Sequence, residues 1–110
     1  MCAMPDDLPP AVQQMFDATN RGDDDAFLDA FADDAVLVDW SRTFTGRDEI
    51  AGWNARENIG ANSHIEVTGV EREGDAFRVG IEVTGDGYNG GGAMTFELRG
   101  DRIGRMVITG

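Results

Sequence analysis

The sequence predicts a single α+β domain in which three helices cover one face of a mostly antiparallel sheet. Two observations support this fold class. In the first half of the chain apolar residues recur every three or four positions, which is the period of a helix that buries one face. After Gly60 apolar and polar residues alternate and glycines separate the segments, which is typical of strands joined by turns.

Two helices are expected before the first strand. Proline suits a helix start and glycine a left-handed end, so the first helix should begin at Pro9 or Pro10 and end at Gly22. Asp23 or Asp24 can cap the second helix, and Asp33-Asp34 should break it. The buried positions of the two helices are Val12, Met15, Phe16 and Thr19, then Ala26, Phe27, Ala30 and Phe31.

The remaining elements follow from the change of period. Ala35–Trp40 is predicted to be a strand, Phe44–Gly46 a short strand and turn, and a third helix should run from about Asp48 to Asn58. Four antiparallel strands should follow. Polar residues alternate with the apolar residues of the first three, which are Ile65 and Val67; Phe77, Val79, Ile81 and Val83; and Met94, Phe96 and Leu98. Ile103–Ile108 makes the last strand, and the turns are Glu73–Asp75, Gly85–Gly92 and Gly100-Asp101.

Length and composition restrict the function. The 110 residues suit one domain, so we expect a flexible tail at residues 1–8 and a single domain at 9–110. A formal net charge of −12 disfavours nucleic acid and anionic membranes as partners. The single cysteine excludes an internal disulfide and a thiolate metal site. With no signal-peptide pattern and no long apolar run, a cytoplasmic location is expected.

One part of the sequence resembles a known superfamily. The segment Phe31–Asp39 (FADDAVLVD), followed by Thr45–Ile50 (TGRDEI), resembles the core of nuclear-transport-factor-2-like proteins, which include SnoaL-like polyketide cyclases and steroid ketoisomerases. The resemblance extends from about Val12 to Ile108, and the stretches around Trp40 and Trp53 are similar to small bacterial members. It implies a cone-shaped, cystatin-like α+β barrel with helices against the concave face of a curved sheet and a deep apolar pocket.

The resemblance also implies a catalytic candidate. In the ketoisomerases an aspartate near the end of the first strand is the general base, and Asp39 falls at the matching place. Apolar surroundings suit a carboxyl group for proton transfer. The alternative is a solvated strand end or an ion pair with Arg42 or Arg47. The ketoisomerase tyrosine of the first helix corresponds to Met15, and losing such a donor costs about 3–4 kcal/mol, so ketosteroid isomerisation is disfavoured.

Further pocket candidates come from residue type, and each has a structural alternative. Trp40 and Trp53 could frame the pocket mouth and stack on a flat ligand, although Trp53 also fits core packing. Arg42 could bind a carbonyl or carboxylate, or pair with Asp39. Tyr88 could cover the pocket or reach a second subunit. The other candidates are Asn54, one helical turn from Asn58, and the apolar residues Met15, Phe16 and Phe96, which could line the pocket or fill it.

Two functional hypotheses remain open. The first is an enzyme that uses Asp39 as general acid/base on a small apolar, carbonyl-bearing molecule, with no metal and no cofactor. The second is a non-catalytic ligand-binding or scaffold protein. A cavity of roughly 300 Å³ or more with Asp39 on its wall favours the first. A pocket filled by Met15, Phe16, Trp53 and Phe96 favours the second. The superfamily commonly pairs through the outer face of its sheet, which implies a homodimer; the polar outer residues here are Arg78, Glu82, Glu97 and Arg99.

Overall fold

A computed structural model describes residues 8–109. Within that range the chain forms three α-helices and six strands. In chain order the elements are α1 (Pro10–Arg21), α2 (Asp24–Asp29), β1 (Phe31–Asp39), β2 (Arg42–Thr45), α3 (Gly46–Glu57), a 3-10 turn (Ile59–Ala61), β3 (His64–Glu73), β4 (Ala76–Thr84), β5 (Gly90–Arg99) and β6 (Arg102–Thr109).

The six strands form one curved, open sheet in the order β2-β1-β6-β5-β4-β3. Every neighbouring pair is antiparallel except β1 and β6, which are parallel and place Asp39 opposite Ile108. The ladder is irregular between Val67 and Gly69 and between Glu97 and Leu98. Such bulges bend a strand, which suits a sheet that curves around a hollow. The predicted α+β fold is therefore confirmed.

The core lies between the helices and the inner face of this sheet. Phe16 of α1 and Phe96 of β5 meet edge to face with ring centroids 5.8 Å apart. Phe27 of α2 contacts Phe31 at the start of β1, with centroids 5.1 Å apart. These contacts fix α1 and α2 against opposite parts of the sheet, and α3 closes the same side through Ile50 and Trp53, both buried.

Both predicted caps are present at the loop between α1 and α2. Gly22 adopts a left-handed conformation with φ of 73° and ends α1. The side chain of Asp23 accepts a hydrogen bond from the backbone N–H of Ala26 at 3.1 Å and starts α2. That hydrogen bond, together with the nearby Arg21, lowers the pKa of Asp23.

The structure corrects sequence predictions about the start of the domain and the first strand, and it begins β2 at Arg42, α3 at Gly46 and β5 at Gly90, each earlier than expected. Strand β1 begins at Phe31 rather than Ala35, because the backbone N–H of Ile103 bonds to Ala30 and draws the chain into the sheet. Asp33 and Asp34 therefore lie exposed within β1, where its pairing with β6 shifts, and they do not form a break. Leu8, assigned to the tail, is buried in the core. The rest of the predicted tail, residues 1–7, lies outside the described residues.

Candidate functional site

A cavity of about 360 Å³ opens between α3, the end of β1 and the strands β4 and β5. Its apolar wall is formed by side chains of the sheet and its polar wall by side chains of α3 and the β1–β2 hairpin. The large apolar lining residues are Ile65, Ile81, Val83, Met94 and Ile108, and the charged ones are Asp39, Arg42, Arg56 and Glu57. The other lining residues are Trp40, Trp53, Asn58, Ala61, Ser63, Gly87, Tyr88, Gly91, Gly92 and Thr109.

Asp39 reaches the cavity because of the alternation of side chains along β1. Ala35, Leu37 and Asp39 are the buried positions of the second half of the strand, whereas the residues between them are partly exposed. Asp39 is therefore the last inward-facing residue before the hairpin turns. It is 8% exposed and lines the cavity. A carboxyl group so placed needs hydrogen-bond partners, since burying an unpaired charge is costly.

Two donors satisfy one oxygen of Asp39. The indole Nε1–H of Trp53 donates to Oδ2 at 3.0 Å, and Nη2 of Arg42 donates to the same oxygen at 2.6 Å. The other oxygen, Oδ1, accepts no hydrogen bond within residues 8–109. No fully buried side-chain oxygen or nitrogen in that range lacks a partner, so Oδ1 is accessible. Asp39 thus lines the cavity with one oxygen held by two donors and one that accepts no hydrogen bond from residues 8–109.

Arg42 joins Asp39 to the end of α3. Its Nη1 and Nη2 donate to the two carboxylate oxygens of Glu57, each at 2.6 Å, while Nη2 also reaches Asp39. The hydrogen bonds from Arg42 lower the pKa of Glu57, and the hydrogen bonds to Glu57 raise the pKa of Arg42 further above its ordinary value. Of the two alternatives for Arg42, the structure shows the pairing with Asp39.

The aromatic candidates occupy two different environments. Trp53 is 4% exposed and stacks near Phe27 with ring centroids 6.4 Å apart, so it belongs both to the core and to the cavity wall. Trp40 is 63% exposed and has a φ of 60°, which is unusual for a bulky residue. Tyr88 is 55% exposed and donates its hydroxyl hydrogen to the carbonyl of Gly91 at 2.7 Å. Two exposed aromatic rings therefore border the cavity.

Four of the residues predicted for the pocket lie outside the lining of this cavity. Met15, Phe16 and Phe96 are buried in the core between α1 and the sheet. Asn54 is also buried. Its side-chain amide donates to Asp24 at 2.8 Å and its carbonyl oxygen accepts from the side chain of Asn58 at 2.9 Å, so its polar atoms serve the packing of α3 against α2.

Sequence reasoning missed much of the cavity wall, including the polar residues Arg56, Glu57 and Ser63. Neither Glu57 nor Ser63 had a motif to mark it, and Arg42, the partner of Glu57, is brought close only by the fold. Arg56 and Glu57 do follow the buried Trp53 by one helical turn. This spacing is the sequence signal that marks them as neighbours of the buried face of α3. Ser63 is 8% exposed, and its hydroxyl makes no hydrogen bond to the part of the chain that the structure describes.

Among residues 8–109, no group of three or more His, Cys, Asp or Glu side chains is arranged to hold a metal ion. In the same range, no helix combines the length and the apolar character needed to cross a membrane.

The fold and its interior cavity define a protein of the nuclear-transport-factor-2-like superfamily. A family model described as a SnoaL-like domain matches residues 12–106. The chain therefore belongs to the SnoaL-like family. A comparison with curated protein sequences found no significant match.

Solved structures extend this assignment. A Sinorhizobium meliloti protein described as a candidate polyketide cyclase is 30% identical, with a TM-score of 0.85 over 94% of this chain and 96% of its own. A Catenulispora acidiphila protein with a ketosteroid-isomerase-like fold, in complex with trimethylamine, is 27% identical, with a TM-score of 0.80 over 93% and 85%. A computationally designed 17-OHP binder is 13% identical, with a TM-score of 0.81 over 91% and 87%, and shows the fold alone.

Proposed function

We propose that this SnoaL-like protein binds a small apolar, carbonyl-bearing molecule in its cavity and that Asp39 moves a proton as general acid/base, without a cofactor. The observation that carries the proposal is the free Oδ1 of Asp39 beside a cavity of about 360 Å³. That volume lies within the range of small-molecule sites. It also exceeds the roughly 300 Å³ that separates the enzyme hypothesis from a filled pocket.

The proposed reaction is a proton transfer by Oδ1 of Asp39, the oxygen that no described residue binds. Oδ1 would accept a proton from the carbon next to the carbonyl, the C–H electron pair would form the enolate, and the carboxyl group would return the proton at a second carbon. The bonds from Trp53 and Arg42 to Oδ2 would keep Oδ1 oriented toward the ligand. The hydroxyl of Ser63 is the candidate donor to the enolate oxygen, since it lines the cavity.

The similar structures support an isomerase-type or cyclase-type reaction. The Sinorhizobium meliloti protein is described as a candidate polyketide cyclase, and a second similar protein has a ketosteroid-isomerase-like fold. The steroid reaction itself remains disfavoured for this chain. Met15, at the place of the isomerase tyrosine, is buried away from the cavity and cannot donate a hydrogen bond.

The test is deuterium incorporation next to the carbonyl of cyclic ketones and enones that fit the cavity, followed by NMR in heavy water. The wild type should exchange at least one member of the panel, and Asp39→Asn should lower that rate by about 100-fold or more. Asp33→Asn is the matched control, because Asp33 lies on the same strand with its side chain 89% exposed. Ketones that bind without any exchange would contradict the catalytic proposal.

The alternative function is ligand binding without catalysis. It is favoured by the 2.6 Å ion pair between Arg42 and Asp39, which can serve structure alone, and by the exposed rings of Trp40 and Tyr88, which could stack on a ligand. The similar protein in complex with trimethylamine supplies a probe. Trimethylamine that quenches tryptophan fluorescence in both the wild type and Asp39→Asn, without ketone exchange, would support this alternative.

We also propose that the partner chain is a second copy that pairs through the outer face of the sheet. Arg78, Glu82, Glu97 and Arg99 are exposed there, and Arg99 already pairs with Asp34 at 3.2 Å. A contact made by these residues would be partly ionic and would weaken with salt. Sedimentation at low and high salt measures it, and a monomer at low salt would contradict it.

A further inference from the structure

Two guanidinium groups border the cavity, and their surroundings differ. Arg42 bonds to two carboxylates, those of Asp39 and Glu57, so its charge is already compensated. Arg56 forms no ion pair within residues 8–109, although it lies next to Glu57 in the chain. Arg56 is exposed and lines the cavity. The cavity wall therefore carries one cation that is available to a ligand.

The position of this cation is set by α3. The guanidinium of Arg56 folds back over Gly52, one turn earlier, where a Cβ atom would lie 3.1 Å from Nη1. A glycine inside a helix costs about 1 kcal/mol relative to alanine. At this place the missing side chain leaves the space that the guanidinium occupies.

The rest of the wall determines what else the ligand must contain. Beyond the charged residues the lining consists mainly of apolar side chains from the sheet, which favour an apolar body. The net charge of −12 makes the approach of any anion unfavourable at long range. A local cation on the wall can offset this repulsion, and Arg56 is the lining arginine that forms no ion pair with residues 8–109.

We propose that the cavity takes an apolar molecule with an anionic end group, such as a carboxylate or sulfonate, and that Arg56 binds that group at the cavity mouth. This inference rests on the proposed function, because it assigns a ligand class to the same cavity. It adds a residue that determines specificity and does not change the role of Asp39.

Two fluorescent probes test the proposal. Anilinonaphthalene sulfonate carries an aromatic body and a sulfonate, and phenylnaphthylamine has the same ring system without the charge. Titration of both probes should show that Arg56→Gln weakens binding of the sulfonate by about fivefold, as expected for an exposed ion pair. Binding of the neutral probe should stay within about twofold, and Arg56→Lys should restore part of the loss.

Two controls make the result specific. Arg105→Gln removes an exposed arginine that does not line the cavity, and it should leave both affinities unchanged. Ala61→Phe narrows the cavity from the 3-10 turn, and it should weaken both probes. Undiminished binding in Ala61→Phe would place the probes elsewhere and overturn the proposal.

The outcomes also separate this inference from the proposed function. If the neutral probe binds and Arg56→Gln does not weaken binding of the sulfonate probe, the proposed anionic end group is contradicted. The cavity then remains a site for apolar ligands. If neither probe binds the wild type, the cavity itself is not a ligand site, and both proposals are contradicted.

Discussion

The indole Nε1–H of Trp53 donates a 3.0 Å hydrogen bond to Oδ2 of Asp39, and this bond joins the inner face of α3 to the end of β1. Both residues are buried, and the acceptor is a carboxylate. Hydrogen bonds to charged groups contribute more to stability than neutral ones, because an unpaired buried charge is costly. The bond therefore both orients the proposed acid/base and fastens a helix to the sheet.

Trp53→Phe should lower the free energy of unfolding by about 2–3 kcal/mol, because it removes the donor to Asp39 and part of the contact with Phe27. Urea denaturation measures the change. The matched control is Trp40→Phe, which makes the same substitution at a 63% exposed position and should change stability by less than about 0.5 kcal/mol. Equal losses in the two variants would show that the buried indole N–H contributes nothing.

Two glycine substitutions near each other in the chain should have opposite effects. Gly52→Ala should raise the free energy of unfolding by about 0.5–1 kcal/mol, since the new Cβ meets only the flexible end of Arg56 within an α-helix. Gly60→Ala should lower it by about 3 kcal/mol or more, because the Cβ would lie 1.5 Å from the backbone carbonyl oxygen of Ala55. Thermal melting of both variants checks this, and a stable Gly60→Ala protein would contradict the described turn.

Acid should weaken the fold partly through Glu57. Its pKa in the folded protein is below the ordinary value of 4.5, because Arg42 donates to its carboxylate. The ion pair therefore stabilises the fold above that pH, and this contribution is lost as the pH falls through the folded-state pKa. The urea midpoint should fall less for Glu57→Gln than for the wild type between about pH 6 and pH 3.

The control for this pH series is Glu73→Gln, at an exposed position at the end of β3 that forms no ion pair in residues 8–109. It should follow the wild type. A Glu57→Gln profile parallel to that of the wild type would mean that the pair with Arg42 adds nothing to stability.

The sequence predicted the secondary structure well where local chemistry decides it. Gly22 and Asp23 ended one helix and began the next as expected, and the alternation after residue 64 gave the four antiparallel strands. The sequence prediction was wrong at Asp33-Asp34, where two adjacent acidic residues suggested a break between α2 and the first strand. Tertiary pairing of Phe31 with Ile103 overrides that local signal and keeps both acids in β1.

The cavity wall was predictable only in part, for a physical reason. Asp39, Trp40, Arg42, Trp53 and Tyr88 do border the cavity, whereas Met15, Phe16, Asn54 and Phe96 do not. Periodicity identifies the inward face of an element and cannot tell which inward residues meet other side chains and which meet empty space. That distinction depends on where α3 separates from the sheet. Contacts between residues that are far apart in the sequence determine this separation.

The parallel pairing of β1 with β6 has a consequence for biosynthesis. Asp39 lies opposite Ile108, so the strand that carries the proposed acid/base gains this neighbour only after nearly seventy more residues have been made. During synthesis on the ribosome, α1, α2 and the β1–β2 hairpin emerge long before β6 is available to pair with β1. A nascent chain stalled before residue 102 should therefore lack a finished cavity, and ligand would bind only once the last strand has left the exit tunnel.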